Sequence, residues 1–274
     1  MISKPRTKDG YSPKQAQRVR ATYLYLATKI GDLLEDVVVV GGLVPTLIVP
    51  QKADRLHVGT VDLDVGLSIA LFDGARYAEL ASRLAAAGFE PDVNENGNPT
   101  RQRWRIDSPA VTVDFLIEPT GGEKPGTIKN LTRELAAFVI PGVRLAFRDR
   151  RRITLDESTI RGELAERALW VCGPGAFVAM KSLALGLRGE DKDAYDLVYM
   201  LTELGTKPVA ASFAPLLDDE DGREARENLR RDFKTVKSVG PLRAAEFTSG
   251  GVDDALAADA WAAVQELLAE LGRA

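Results

Sequence analysis

The chain predicts an α+β fold, with a mixed β-sheet within residues 1–172 and a helical half over residues 173–274. Two observations carry this. Short β-branched or alternating apolar runs are confined to the first part, notably Val37–Val40, 60–65 and 111–117, whereas the later part reads as successive helices. Strands grouped ahead of helices, instead of alternating with them, mark an α+β architecture. Between the two parts stands the triplet Gly173, Pro174, Gly175, a strong chain breaker.

Ser12 and Pro13 form a cap and first-turn proline that open a helix expected to run to about Leu34, with Leu24, Ala27 and Leu34 on its buried face. Val37–Val40 is apolar throughout, as a strand covered on both sides must be. Gly41 and Gly42 end it, and a short helix over 43–49 tolerates Pro45 in its first turn. A loop with Lys52, Asp54, Arg55 and His57 leads to the alternating strand 60–65. Residues 77–87 form an amphipathic helix closed by Gly88, and 94–99 a loop by composition. Strands at 104–106 and 111–117 flank a turn at Asp107, Ser108 and Pro109. Residues 144–147 and 152–155 suggest a hairpin, and 168–172 a short strand. Helices over 176–187 and 191–204 follow, and the rest, from about Pro208, is helical.

Composition removes several function classes. The net charge is −4, so any contact with nucleic acid rests on a local basic patch. With Cys172 and His57 each the only residue of its kind, disulfides, four-cysteine zinc sites and histidine-rich metal sites are excluded. Catalysis has to rest on carboxylates, lysine, arginine and backbone amides. No apolar run approaches the roughly 18–20 residues of a membrane span, so no membrane partner is expected. The opening residues lack the apolar core of a signal peptide, which makes the cytoplasm the expected location.

Asp62 and Asp64 lie two apart on a predicted strand, so both leave the same face, while Leu63 and Val65 anchor the other. Asp114 sits between Val113 and Phe115 on a second predicted strand. Carboxylates brought that close repel one another unless a cation lies between them, and hard divalent ions such as Mg²⁺ match all-oxygen donors. Three such groups can hold two ions about 3.5–4 Å apart, the clamp used for in-line phosphoryl or nucleotidyl displacement. Gly41 and Gly42, at a strand-to-helix turn, permit close backbone approach to a phosphate, although taken alone they read first as an ordinary tight turn.

Together these residues resemble the polymerase-β-like nucleotidyltransferase superfamily: a glycine turn (Gly41, Gly42), a T-x-D-x-D strand (Thr60, Asp62, Asp64) and a third aspartate (Asp114). The segment AFVAMKSLALGLRGEDKDAYDLVYML is similar to the lysine helix and K-D-x-x-D signature of AbiEii-type enzymes, the toxins of type IV toxin–antitoxin systems, including the MenT-like branch. Its matching positions are Lys181, Arg188, Lys192, Asp193 and Asp196. The resemblance implies a Mg²⁺-dependent (or Mn²⁺-dependent) enzyme with a nucleotidyltransferase core over 1–172 and a helical domain over 173–274 that completes the active site. Asp62, Asp64 and Asp114 would bind metal. Gly41, Gly42, Thr60, Lys181, Arg188 and Asp196 would bind the NTP, with Lys181 neutralising the triphosphate and Asp193 acting as base. Two positions depart from the pattern: Gly42 stands where many members carry serine, and Val58 where many carry arginine, with Arg55 or His57 as substitutes.

The implied function is transfer of a nucleoside monophosphate to an acceptor hydroxyl, with RNA, in particular a tRNA 3′ end, as acceptor and a cognate antitoxin as partner. Two basic features fit RNA: residues 148–152, expected at a hairpin tip, and a predicted helical stripe of Arg223, Arg226, Arg230, Lys234 and Lys237. Acidic residues interleave that stripe, so a solvated helix face explains it too. The alternatives are transfer to a small molecule or protein, and a non-catalytic nucleotide-binding or interaction module.

Overall fold

A computed structural model describes residues 5–50, 55–68, 74–106 and 111–273. The predicted turn at Asp107, Ser108 and Pro109, and the loop residues Lys52 and Asp54, lie outside the described residues. The α+β reading holds: one mixed sheet occupies the first part of the chain and helices make up the rest. Among the described residues no helix is long and apolar enough to cross a membrane.

The sheet comprises β1 (Val37–Val40), β2 (Asp62–Leu67), β3 (Glu90–Val93), β4 (Pro99–Ile106), β5 (Val111–Ile117), β6 (Ile128–Asn130), β7 (Ala136–Val139), β8 (Arg150–Ser158) and β9 (Leu164–Cys172). Its order is β3-β4-β5-β2-β1-β9-β8, with β7 on the far half of β5 and β6 beyond β7. β1 is central and wholly buried, which is why four consecutive valines suit it. β2 runs antiparallel to β1 and parallel to β5.

The alternation in β2, β4 and β5 sorts two faces. Leu63, Val65, Trp104, Ile106, Val113 and Phe115 turn to one side and are buried. There α1 (Pro13–Ile30) packs on β2, β5 and β9, with α3 (Gly74–Ala86) beside it. Burial of such side chains contributes about 1.5–3 kcal/mol each relative to leaving them exposed. The opposite face carries the aspartates. It is covered by α4 (Val143–Arg148), which packs on β1, β2 and β9, and by α5 (Pro174–Arg188) lying against α4. Beyond come α6 (Asp191–Leu204), α7 (Thr206–Phe213), α8 (Glu220–Asp232), α9 (Val239–Ser249) and α10 (Asp254–Leu271). The predicted short helix after the glycine turn is α2 (Val44–Ile48).

Several expectations are corrected. The first helix stops at Ile30, where Gly31 takes a φ of 60°, and a 3-10 turn continues to Asp36. Ser12 makes no side-chain cap bond. Residues 144–147 belong to α4, not to a strand. Arg144 is drawn into a helical turn because its backbone N–H and guanidinium both bond Glu118, and the guanidinium also bonds Asp219. The real hairpin is β8–β9, nine residues per strand, so the arginines of 148–152 span the end of α4 and the base of β8 and form no hairpin tip. Their solvated, charged outer residues hid the length of both strands. α8 ends at Asp232, which leaves Lys234 and Lys237 outside the supposed stripe.

Candidate metal and anion site

The parallel register of β2 and β5 sets Asp62 opposite Thr112 and Asp64 opposite Asp114. Side-chain period two then places all three aspartates on one face. One ligating oxygen from each of Asp62, Asp64 and Asp114 lies within 4.8 Å of the others. Asp62 and Asp114 are buried and Asp64 half-buried. Thr60 Oγ1 donates to Asp62 Oδ1 at 2.7 Å.

β4 brings a residue that the sequence does not single out. Arg103 is the register partner of Asp114, and its Nε and Nη2 donate to the two carboxylate oxygens at 2.6 Å each. The cluster thus sets three carboxylates beside one guanidinium. The signal was there in the alternation of Arg103 and Arg105 with Trp104 and Ile106, but the strand is longer than the 104–106 expected.

β1 ends at Val40, the partner of Asp64, so the glycine turn emerges beside that carboxylate. Gly41 has a φ of 71°, and a Cβ there would fall inside the Asp64 carboxylate. Only glycine meets both conditions. A Cβ on Gly42 would lie 2.9 Å from Thr60 Cβ and 3.1 Å from Lys192 Nζ and Thr60 Oγ1. Here the space a larger residue would take is filled by Thr60 and Lys192.

The opposing wall is the α5–α6 hairpin. Asp149 caps α5 by accepting from Ala176 N at 2.8 Å, and Gly189, with a φ of 62°, turns the chain into α6. Lys181 Nζ reaches Asp193 Oδ1 at 2.9 Å and Asp196 Oδ2 at 2.6 Å. Arg188 donates to both Asp193 oxygens, at 2.8 and 2.9 Å, and Lys192 to both Asp196 oxygens, at 2.7 and 2.9 Å. Burial opposes the charge on Lys181, but Asp193 and Asp196 outweigh it and hold its pKa above the ordinary lysine value. For Asp193, burial works against ionisation, and Lys181 and Arg188 overcome it to bring the carboxyl to about 2. Burial, together with the neighbouring Lys181 charge, lowers the pKa of Lys192 despite Asp196.

His57 closes this network from the sheet side. Gly59 N–H donates to its Nδ1 at 3.0 Å, so Nε2 carries the proton and donates to Asp196 Oδ1 at 3.0 Å. Burial pushes its pKa down to about 4. No sequence feature links His57 to Asp196, which lies 139 residues away. Arg55 is mostly exposed and pairs with Glu203.

A cleft of about 440 Å³ separates the two walls. Gly41, Gly42, Thr60, Asp62, Asp64, Asp114, Lys181, Arg188 and Asp193 line it, and so do Arg103 and Lys192. Asp196 does not. It is fully buried behind Lys181 and Lys192, and neither His57 nor Arg55 reaches the cleft lining. The Lys181 and Lys192 ion pairs are thus buried, Arg188 remains partly exposed over Asp193, and all three cations line the cleft opposite the carboxylates.

The basic tracts fare differently. Arg150 and Arg152 stack over Trp170 at the far side of the sheet. Arg230 and Arg226 pair with Glu227, and Arg223 donates to the carbonyls of Leu217 and Asp218. No model of a known protein family matches this chain and no curated protein matches it.

Proposed function

We propose that this protein is a metal-dependent nucleotidyltransferase that moves a nucleoside monophosphate from an NTP to an acceptor hydroxyl. One observation carries the reading: three carboxylates from adjacent parallel strands converge within 4.8 Å, facing a lysine- and arginine-bearing wall across one cleft. The donor set fits a hard divalent cation such as Mg²⁺, because it is all oxygen and its three carboxylates converge within 4.8 Å. Asp62, Asp64 and Asp114 would hold the metal, which when bound supplies Lewis-acid stabilisation of the transferring group and lowers the pKa of a bound hydroxyl.

The chain's own residues do the rest. Gly41 and Gly42 line the cleft beside Asp64, where a polyphosphate would meet the backbone. Lys181, Arg188 and Lys192 set three cations along this wall, paired with Asp193, Asp196 and Glu190, and these cations would stabilise the triphosphate as pyrophosphate leaves. The acceptor oxygen bonds the α-phosphorus as the bond to pyrophosphate breaks, and the hydroxyl proton passes to solvent water. Asp193, with both oxygens bonded and its carboxyl held at about 2, anchors Lys181 and Arg188 and is a poor base. Thr60 orients Asp62.

For the acceptor we propose RNA, with the tRNA 3′ end foremost, in a toxin–antitoxin setting. This rests on the motif resemblance. The local bonding of the α8 arginines favours a second reading, transfer to a small molecule or protein.

Incubation with each α-labelled NTP, Mg²⁺ and bulk tRNA, beside Asp62→Asn and Asp64→Asn proteins, tests this. Label on tRNA that depends on both aspartates supports RNA. Label on another acceptor supports the second reading. No label on any acceptor would make the protein a non-catalytic binding module.

A further inference from the structure

One end of the cleft differs in chemistry from the rest. The floor follows the strand order β1, β2, β5, β7, so the lining passes from the glycine turn, through the carboxylates, to Leu116, Phe138 and Ile140. Leu116 and Phe138 are register partners, two residues beyond Asp114 on the same face.

The roof changes in step. At roughly 100° per residue, Lys181 and Arg188 lie on one stripe of α5, and Met180, Leu183 and Leu187 on the neighbouring one. The two stripes are fixed at opposite ends of the cleft. Lys192, beside the cationic stripe, sits against Gly42, whereas Met180 and Leu183 lie 3.1 Å from where a Cβ on Gly142 would stand, just past β7. Anionic recognition and an apolar slot therefore share one continuous cavity with the carboxylates between them.

Leu116, Phe138, Ile140, Leu183 and Leu187 carry no polar atom in their side chains, and Met180 offers only a weakly accepting sulfur. Three backbone donors there are already used. Gly126 N bonds Val139 O and Ile140 N bonds Ile117 O, each at 2.8 Å, and Gly142 N bonds Asp221 Oδ2 at 2.8 Å. Pro125 and Pro141 have no N–H to give.

We infer that this apolar end seats the base of the donor nucleotide by surface contact alone, so that all four ribonucleoside triphosphates bind with similar strength. The inference rests on the nucleotidyltransferase reading. With the triphosphate against Gly41 and Lys192 and the α-phosphate at the carboxylates, the nucleoside extends toward Phe138. Every base offers an apolar π-face, and stacking on an aromatic ring tolerates any of them. Discrimination between bases needs hydrogen bonds to their edges, and a site that makes none separates them only weakly.

Calorimetry on the full chain with Mg²⁺ tests this. The ligands are the α,β-methylene analogues of ATP, CTP, GTP and UTP, which resist transfer, and inorganic tripolyphosphate. The four analogues are expected to bind within about fivefold of one another and at least fivefold more tightly than tripolyphosphate. Leu187→Ala, at an exposed rim position that folding does not depend on, and Met180→Ala are expected to weaken the analogues at least threefold and leave tripolyphosphate unchanged. A wider spread among the four overturns base tolerance. Tripolyphosphate binding as tightly as the analogues, or variants without effect, removes the base from this end while the phosphate site stands. Binding of neither class defeats the nucleotidyltransferase reading, and this inference with it.

Discussion

Arg103 holds both oxygens of Asp114 across the β4–β5 ladder, at 2.6 Å each. The fork uses one lone pair on each oxygen. It also fixes the plane of the carboxylate. Groups that orient a metal ligand are typically worth 10–100-fold in metal affinity. Arg103→Lys, which keeps the charge and loses the fork, is expected to weaken Mn²⁺ binding about tenfold by calorimetry, with a parallel loss of transfer. Unchanged affinity would remove the orienting role.

Gly41 and Gly97 separate backbone cost from steric cost. Their φ values are 71° and 76°, but a Cβ on Gly97 meets nothing within 4 Å. Gly97→Ala carries only the left-handed penalty of about 1–2 kcal/mol. Gly41→Ala adds displacement of Asp64, so it is expected to melt at a lower temperature than Gly97→Ala and to lose metal binding, which Gly97→Ala retains. Equal behaviour of the two variants refutes the close approach.

Acid stability depends on His57. Its folded-state pKa of about 4 lies below its ordinary value of 6.5 because of burial, so the folded protein resists taking up the proton. The stability this contributes is complete above pH 6.5 and is lost as pH falls toward 4. In urea titrations His57→Gln should be less stable than the parent at pH 8, with the gap shrinking between pH 6.5 and 4. A pH-independent gap argues against a buried neutral imidazole.

Glu118 shows the opposite dependence. Burial, reinforced by the nearby Asp221 charge, raises its pKa to about 7 against the pull of Arg144. Its folded value lies above its ordinary 4.5, so the associated stability is full below that value and lost as pH rises through 7. Glu118→Gln is therefore expected to gain thermal stability relative to the parent between pH 6 and pH 8. A relative loss over that range contradicts this assignment.

Several elements in which residue pattern and burial coincide were legible in the sequence, although the buried β7 (Ala136–Val139) was not. Val37–Val40 and Val111–Ile117 are buried at every position, and the predicted 191–204 helix matches α6 residue for residue. The aspartates stood out because each is polar on an otherwise apolar strand. β3 and β6 escaped notice because they are short and largely solvated, and β3 contains Pro91, tolerated at a sheet edge. α4 was missed because tertiary bonds from Glu118 and Asp219, not local preference, make residues 143–148 helical. Arg103 and His57 acquire meaning only from partners that the fold delivers across a strand pair or across most of the chain.

The helical hairpin closed by Gly189 bears on the order of folding. Its ion pairs Lys181–Asp193, Arg188–Asp193 and Lys192–Asp196 span twelve, five and four residues. Contacts so local close quickly, whereas bringing Asp64 beside Asp114 needs strand pairing across a much longer loop. The hairpin can thus order early with its charges already matched, as a preassembled template on which the slower sheet face comes to rest.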